Sequence, residues 1–268
     1  MSNEFSGSYP LEPRKGEIDR LNVQALAMAP ETSRMLDLIG VGEGWKCLDI
    51  GCGPGGITGL LSERVGSKGH VVGLDMNADF LEYARATAPA NTEFLLGDAY
   101  DSALTAETFD LVHMRFVAST AGAPERLLRE ATRLAKSRGT IALQEPDGST
   151  LNCYPPHPSW DKLKDALLGA FRGVGADLEL ARRLYYVIIQ SGLTDVQYRP
   201  FIIGVRSVDS MVDYLPSTVE SLRSTVLQLG LLEENEFTTM LSACRAHLAR
   251  SETVFTMYTV AQVWGRKP

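Results

Sequence analysis

Two rhythms of apolar and polar positions alternate along this chain. Short continuous apolar runs mark strands buried on both faces, and between them apolar residues return every three or four positions, as in helices packed through one side. The first run, Trp45 to Ile50, ends in the glycine cluster Gly51, Gly53, Gly55 and Gly56. A helical pattern follows at once through Ile57, Leu60, Leu61 and Val65, and Gly66 ends it. Further strands are expected at 70–75, 93–96, 109–114, 139–143, 196–203 and 254–263. Asn77 is placed to cap a helix carrying Phe80, Leu81 and Ala84, and Pro124 suits the first turn of one lined by Leu127, Leu128, Ala131 and Leu134. Strands separated by single helices imply right-handed βαβ units and a parallel sheet.

Outside that alternation the pattern changes. Residues 1–16 carry Gly7, Pro10, Pro13 and Gly16 and read as an irregular arm. A helix is expected over 17–29, stopped by Pro30, and a second over 31–39 with Gly40 beyond it. After the fifth strand, Pro155, Pro156 and Pro158 cluster beside Tyr154, His157 and Trp160. Ser159 is expected to cap a helix carrying Leu163, Leu167 and Phe171, and Asp177 to start another that ends at Gly192. Ser217 with Glu220 has capping-box spacing before a helix bearing Val219, Leu222, Val226 and Leu229. A last helix carries Phe237, Leu241, Cys244 and Leu248.

Charge and composition narrow the range of functions. The net charge is -7 and the sequence pI about 5.2, without the basic footprint of a nucleic-acid binder. No apolar run approaches the ~18–20 residues of a membrane span, and the first residues lack a basic-then-apolar leader pattern. Cys47, Cys52, Cys153 and Cys244 have no zinc spacing and read as reduced thiols of a cytoplasmic protein. No metal-ligand cluster is visible.

The candidate chemistry sits at the first strand's end. Glycines in such a turn permit positive φ and let a ligand approach bare backbone, and the following helix N-terminus favours an anionic or polar group. Gly51-x-Gly53-x-x-Gly56 fits the dinucleotide fingerprint, and Asp75 ends the next strand where an acid takes ribose hydroxyls. Both features suit NAD and any adenosine cofactor. Asp49 tips the balance: the run Asp49-Ile50-Gly51-Cys52-Gly53-Pro54-Gly55 resembles the first motif of class I S-adenosylmethionine-dependent methyltransferases. The resemblance continues over about residues 40–150 through Asp75, Gly97-Asp98-Ala99, the strand 109–114 and Gln144-Glu145-Pro146-Asp147, and points to the ubiquinone/menaquinone-biosynthesis-like small-molecule branch.

That resemblance implies an α/β, doubly wound, Rossmann-like sheet of seven mostly parallel strands. The seventh runs antiparallel between the fifth and sixth. It implies an N-terminal helical arm (1–40), a core (41–206 and 251–268, with the proline/aromatic insertion 147–176) and a helical lid (207–250) over an acceptor pocket. The cofactor would be S-adenosylmethionine, leaving as S-adenosylhomocysteine. Gly51 and Gly53 would lie against the methionine moiety, and Asp49 would orient the loop or reach the amino group through water. Asp75 would accept from the ribose, Met76 pack on the adenine, and Asp98 and Ala99 bind its edge. Arg115 would join the cofactor set, bind an acidic acceptor or brace the lid, and Tyr9 or Arg20 would reach the methionine part.

Methyl transfer from a sulfonium chiefly needs alignment and exclusion of water, so no strong catalytic motif is required. A general base, where one is needed, is sought among His113, His157, Glu145 and Asp147. Tyr154, Trp160, Tyr185 and Tyr186 are candidates to line an aromatic pocket. The absence of an Asp/Asn-Pro-Pro-Tyr motif after the fourth strand argues against nucleobase and glutamine-amide methylation. The expected acceptor is a small, hydrophobic or aromatic molecule of secondary metabolism, the O, N or C specificity open, and the protein a monomer or homodimer. Two alternatives stand beside this reading: an NAD(P)-dependent oxidoreductase, disfavoured by Asp49, by Gly97-Asp98-Ala99 and by the lack of a Tyr-x-x-x-Lys pair, and an S-adenosylmethionine-binding protein steering a reaction other than methyl transfer.

Overall fold

The computed structural model describes residues 16–268. In chain order the first half comprises α1 (Glu17–Ile39), β1 (Lys46–Ile50), α2 (Thr58–Val65), β2 (His70–Asp75), α3 (Ala78–Ala86), β3 (Thr92–Leu96), β4 (Phe109–Arg115), α4 (Ala118–Ala121), α5 (Pro124–Leu134) and β5 (Ala135–Asp147). The second half comprises β6 (Asn152–Tyr154), α6 (Pro158–Gly173), α7 (Ala181–Gln190), β7 (Thr194–Phe201), β8 (Gly204–Arg206), α8 (Tyr214–Glu220), α9 (Arg223–Gln228), α10 (Glu234–Leu248), β9 (Val254–Thr256) and β10 (Thr259–Arg266).

Seven strands form one sheet in the order β3-β2-β1-β4-β5-β10-β7. The pairs among β3, β2, β1, β4 and β5 are parallel, while β10 runs antiparallel to both β5 and β7. The strand order reverses between β1 and β4, where the connections leave in opposite directions and open a crevice at the carboxyl edge. Alternate residues serve the two faces. Leu48, Ile50, Val72, Leu74, Val112 and Met114 pack on Leu127, Leu128 and Leu184 of α5 and α7. Cys47, Val71, Leu111 and Ala142 pack on Met35, Leu36, Leu61 and Val65 of α1 and α2. A third core joins Trp160, Leu163, Leu167 and Phe171 of α6 to buried side chains of α8, α9 and α10 and to Val205 and Phe255.

Several elements depart from the sequence expectation. Pro30 does not stop the first helix, and α1 runs through it. The missing N–H falls on an exposed flank (Leu26 is 75% exposed), while Gln24, Ala25, Met28, Thr32, Met35, Leu36 and Ile39 bury the opposite side. Tertiary burial over that long face outweighs the local break. His157, not Ser159, caps α6: its Nδ1 accepts from the Ser159 N–H at 3.3 Å, with Pro158 in the first turn. The Ser217/Glu220 capping box is absent, because Ser217 lies inside α8 and its hydroxyl donates back to the Asp213 carbonyl at 2.6 Å. The expected single helix behind it is two short ones, α8 and α9. The expected last strand is likewise divided into β9 and β10. The first of these pairs with β6 and β8 in a small antiparallel sheet that the sequence pattern did not reveal.

Candidate active site

A cavity of about 650 Å³ opens at the carboxyl edge of the sheet, where the order reverses. One end is built by the β1–α2 turn and the ends of β2 and β3. Gly51 and Gly53 hold left-handed φ values of 67° and 53°, a conformation that side-chain-bearing residues resist. The Gly53 N–H donates to Asp75 Oδ2 at 2.8 Å, and the Asn77 N–H donates to Asp75 Oδ1 at 2.9 Å. Each carboxylate oxygen therefore keeps acceptor capacity toward the cavity. Burial raises the Asp75 pKa, against the two N–H donors, which lower it. Asn77 caps α3 by accepting from the Asp79 and Phe80 N–H groups, as its position predicted. Asp98 is exposed at the cavity mouth, and its Oδ1 accepts from the Tyr100 N–H at 2.8 Å. Met76 and Leu96, 62% and 63% exposed, present apolar surface beside it.

The other end is walled by Phe116, Pro146, Leu167, Phe171, Leu178, Tyr214 and Tyr258. Phe116 stands edge-on to Tyr258 with ring centroids 5.5 Å apart. The Tyr258 hydroxyl meets the Tyr214 hydroxyl at 2.7 Å and accepts from Gln24 Nε2 at 3.0 Å. Burial holds both phenols above their ordinary pKa. Arg20, Gln24 and Ala25 of α1 close the cavity against the glycine loop. Arg20 is paired with Glu17 at 2.7 Å. Between the two ends stands Arg115, its guanidinium buried and its Nη1 without a hydrogen-bond partner. Burial lowers the Arg115 pKa, and the nearby Asp49 charge opposes that shift.

The structure thus brings Asp49, Gly51, Gly53, Asp75, Met76, Asp98, Ala99 and Arg115 to one cavity. Tyr9 lies outside the described residues. The two histidines expected as bases stand elsewhere. His113 is fully buried beneath the cavity wall, with Nδ1 2.8 Å from Asp49 Oδ1 and Nε2 2.9 Å from Gln144 Nε2, so neither nitrogen is free. His157 stacks on His247 at a centroid distance of 4.6 Å and caps α6, away from the cavity walls. Glu145 accepts from the Ala118 and Ser119 N–H groups at 2.9 and 3.0 Å, and burial pushes its pKa up to about 7. Asp147 is tied to Arg182 at 2.8 Å. Neither carboxylate is among the lining residues.

The expected aromatic lining is also corrected. Trp160 is buried in the core around α6, whereas Tyr154, Tyr185 and Tyr186 face solvent. The rings that line the end away from the glycine turn, Phe116, Phe171, Tyr214 and Tyr258, come from four separate stretches of chain, and only the fold assembles them. Sequence reasoning also passed over Gln24, whose position in an amphipathic helix carries no local mark of its bond to Tyr258.

The comparisons with known proteins agree with this geometry. The family model described as "Methyltransferase domain" matches residues 42–174. An uncharacterised 37.1 kDa protein of a Streptomyces fradiae transposon is 34% identical over 127 residues, covering 46% of this chain and 36% of that protein. A demethylmenaquinone methyltransferase of Staphylococcus aureus is 33% identical over 125 residues, covering 45% of this chain and 51% of the relative. The matched stretch is thus about half of that enzyme's length, and less of the Streptomyces protein's. In fold, the chain resembles the crystal structure of the YcgJ protein from Bacillus subtilis. The TM-score is 0.57 at 16% identity, over 88% of this chain and 98% of that one.

The order of strands, the acid-and-glycine turn and the matched domain define a class I fold for S-adenosylmethionine chemistry. Through residues 42–174 the chain belongs to the class I S-adenosylmethionine-dependent methyltransferases, whose cofactor is S-adenosylmethionine. The residues present fit that group. The one turn holding Gly51 and Gly53 presents bare backbone with open space at Gly53, two carboxylates keep free acceptor capacity, and Arg115 keeps a buried Nη1 without a hydrogen-bond partner. Among the described residues no helix is long and apolar enough to cross a membrane, and no group of side chains forms a metal site.

Proposed function

We propose that this protein moves a methyl group from S-adenosylmethionine to a small acceptor with an apolar or aromatic body. The observation that carries the reading is the continuity of one cavity, from the glycine turn and the carboxylates at one end to Phe116, Phe171, Tyr214 and Tyr258 at the other. When bound, the cofactor supplies an activated methyl group on a sulfonium. Asp75 would accept from the ribose hydroxyls, and Asp98 and the Ala99 N–H would bind the adenine edge between Met76 and Leu96. Gly51 and Gly53 would let the methionine part lie on bare backbone, with Arg115 at its carboxylate and Asp49 toward its amino group.

The chain's remaining contribution is positioning and drying. Rings and aliphatic side chains would hold the acceptor and exclude water, which raises effective concentration and fixes the line of attack. No histidine or glutamate lines the cavity among the described residues, its aspartates (Asp49, Asp75 and Asp98) serve the cofactor in this reading, and both phenols are held protonated by burial. The acceptor would therefore arrive as a nucleophile already, or lose its proton to water at the cavity mouth. A polar acceptor has few partners beneath the helices, where Gln24, Thr218 and the two hydroxyls are the main polar groups. We further propose that α8–α10 (within 207–250) act as a lid on the core and that the acceptor belongs to secondary metabolism.

Calorimetric titration with S-adenosylhomocysteine, S-adenosylmethionine and NADH in parallel tests the cofactor. Micromolar binding of the first two is expected, and binding of NADH alone overturns the reading. Incubation with methyl-labelled S-adenosylmethionine and matched panels of hydroxylated aromatics and small polar amines tests the acceptor. Label transfer confined to the polar amines defeats the apolar-acceptor proposal.

A further inference from the structure

A row of polar side chains crosses the sheet inside an otherwise apolar face, and nothing in methyl transfer requires it. It begins at Asp49 on the cavity wall. Asp49 Oδ1 is 2.8 Å from His113 Nδ1, and His113 Nε2 is 2.9 Å from Gln144 Nε2. Gln144 Oε1 accepts from Gln262 Nε2 at 2.9 Å and from the Thr32 hydroxyl at 3.2 Å. Gln262 Oε1 accepts from Arg199 Nη1 at 2.7 Å, and Gln262 Nε2 also donates to the Glu31 carbonyl at 3.0 Å. The row thus spans five neighbouring strands, β1, β4, β5, β10 and β7, with α1 laid along it. His113, Gln144 and Gln262 are fully buried, and Asp49 is 2% exposed.

The chemistry of the end groups gives the row a direction. A guanidinium only donates and a carbonyl only accepts. Arg199 and Glu31 therefore allow the Gln262 amide one orientation, its oxygen toward Arg199 and its nitrogen toward α1 and Gln144. Gln144 must then present its oxygen to Gln262 and Thr32 and its nitrogen to His113. The His113 Nε2 receives that donor and so carries no proton. Its proton stands on Nδ1 and is donated to Asp49, which is left as an acceptor. Each bond of the row then joins a donor to an acceptor, as buried polar groups require.

We propose that this row is a positioning device for the cofactor end of the cavity. Arg199 and the Glu31 carbonyl orient the two glutamine amides, the amides fix His113 as its Nδ1–H tautomer, and His113 holds Asp49 as an acceptor-only carboxylate facing the cavity. His113 is a positioning residue in this arrangement. Its pairing with Asp49 resembles an acid–base dyad, but the nitrogen such a dyad would use is occupied by Gln144. The effect on ligand binding rests on the methyltransferase reading given above, whereas the tautomer does not.

The test uses the full chain labelled with ¹⁵N-histidine, read by long-range proton–nitrogen correlation near pH 7, together with S-adenosylhomocysteine titration. In the wild type, His113 is expected to be neutral, with the proton on Nδ1. Gln144→Glu replaces the donor facing Nε2 with an acceptor and leaves the Gln262 and Thr32 bonds in place. His113 should then take a second proton. Its positive charge, closer to Asp49 than the introduced carboxylate on the far side of the ring, would offset part of the Asp49 charge, and S-adenosylhomocysteine should bind several-fold more weakly, about the difference between two opposite unit charges at unequal distances at intermediate dielectric. A wild-type His113 protonated on Nε2 overturns the proposal without any variant. So does a Gln144→Glu protein whose His113 signals and ligand affinity match the wild type. If His113 behaves as expected while the wild type binds no S-adenosylhomocysteine, the row stands and the methyltransferase reading falls.

Discussion

Gly53 and Gly51 sit two residues apart in the same turn, and the structure assigns them opposite sensitivities. Both have left-handed φ, so alanine at either costs about 1–2 kcal/mol of backbone strain. Beyond that they differ. A Cβ at Gly53 meets nothing within 4 Å, whereas one at Gly51 falls 2.3 Å from Val117 Cγ2. Overpacking of that kind adds about 1–3 kcal/mol. Gly51→Ala should therefore melt below Gly53→Ala, by roughly 2–4 °C for each additional kcal/mol in a chain of this size. Gly53→Ala should stay folded yet lose at least about tenfold in S-adenosylhomocysteine affinity, because its methyl occupies space against which the ligand lies. Adding Val117→Ala removes the clashing γ-methyl groups and should recover part of the Gly51→Ala loss, a coupling within about 0.5–3 kcal/mol. Scanning calorimetry and ligand titration read these outcomes separately. Equal melting of the two single variants would refute the packing argument, and wild-type affinity in Gly53→Ala would refute the cradle.

Two further variants probe the buried Glu145 and the half-buried Asp75. Glu145 is protonated in both folded and unfolded states below its ordinary value of 4.5, and only the folded state keeps the proton up to about 7. Its contribution is thus fully present below pH 4.5 and is lost as pH rises toward 7, by roughly 3 kcal/mol. Glu145→Gln lacks this term, so its melting temperature relative to wild type should climb between pH 4.5 and 7.5; a constant difference would contradict the burial argument. Asp75→Asn keeps one acceptor of the two and loses the charge, so S-adenosylhomocysteine affinity should fall about ten- to hundredfold. Because burial raises the Asp75 pKa, wild-type affinity should also weaken as the medium is acidified, and the Asn variant should be flat in the same titration.

The fold class and the glycine-turn end of the cavity were legible from sequence because their determinants are local. A strand, a turn needing positive φ and a helix start are written in consecutive residues, Trp45 to Val65, and Asp75 and Asp98 each end their own strand. Local motifs and the family resemblance they carry therefore named Asp49, Gly51, Gly53, Asp75, Met76, Asp98, Ala99 and Arg115, and the structure brings these residues to one cavity. What the sequence did not determine depends on contacts distant along the chain. Pro30 is a local helix breaker, and only the burial of α1 along the sheet carries the helix past it. His113 has the chemistry of a base in any sequence, and only the crossing of β1, β4, β5, β10 and β7 commits its two nitrogens to Asp49 and Gln144. The aromatic end of the cavity is the clearest case. Phe116, Phe171, Tyr214 and Tyr258 have no shared motif or spacing, and they face one cavity because α6, α8 and the approach to β10 pack over the crevice that strand order opens.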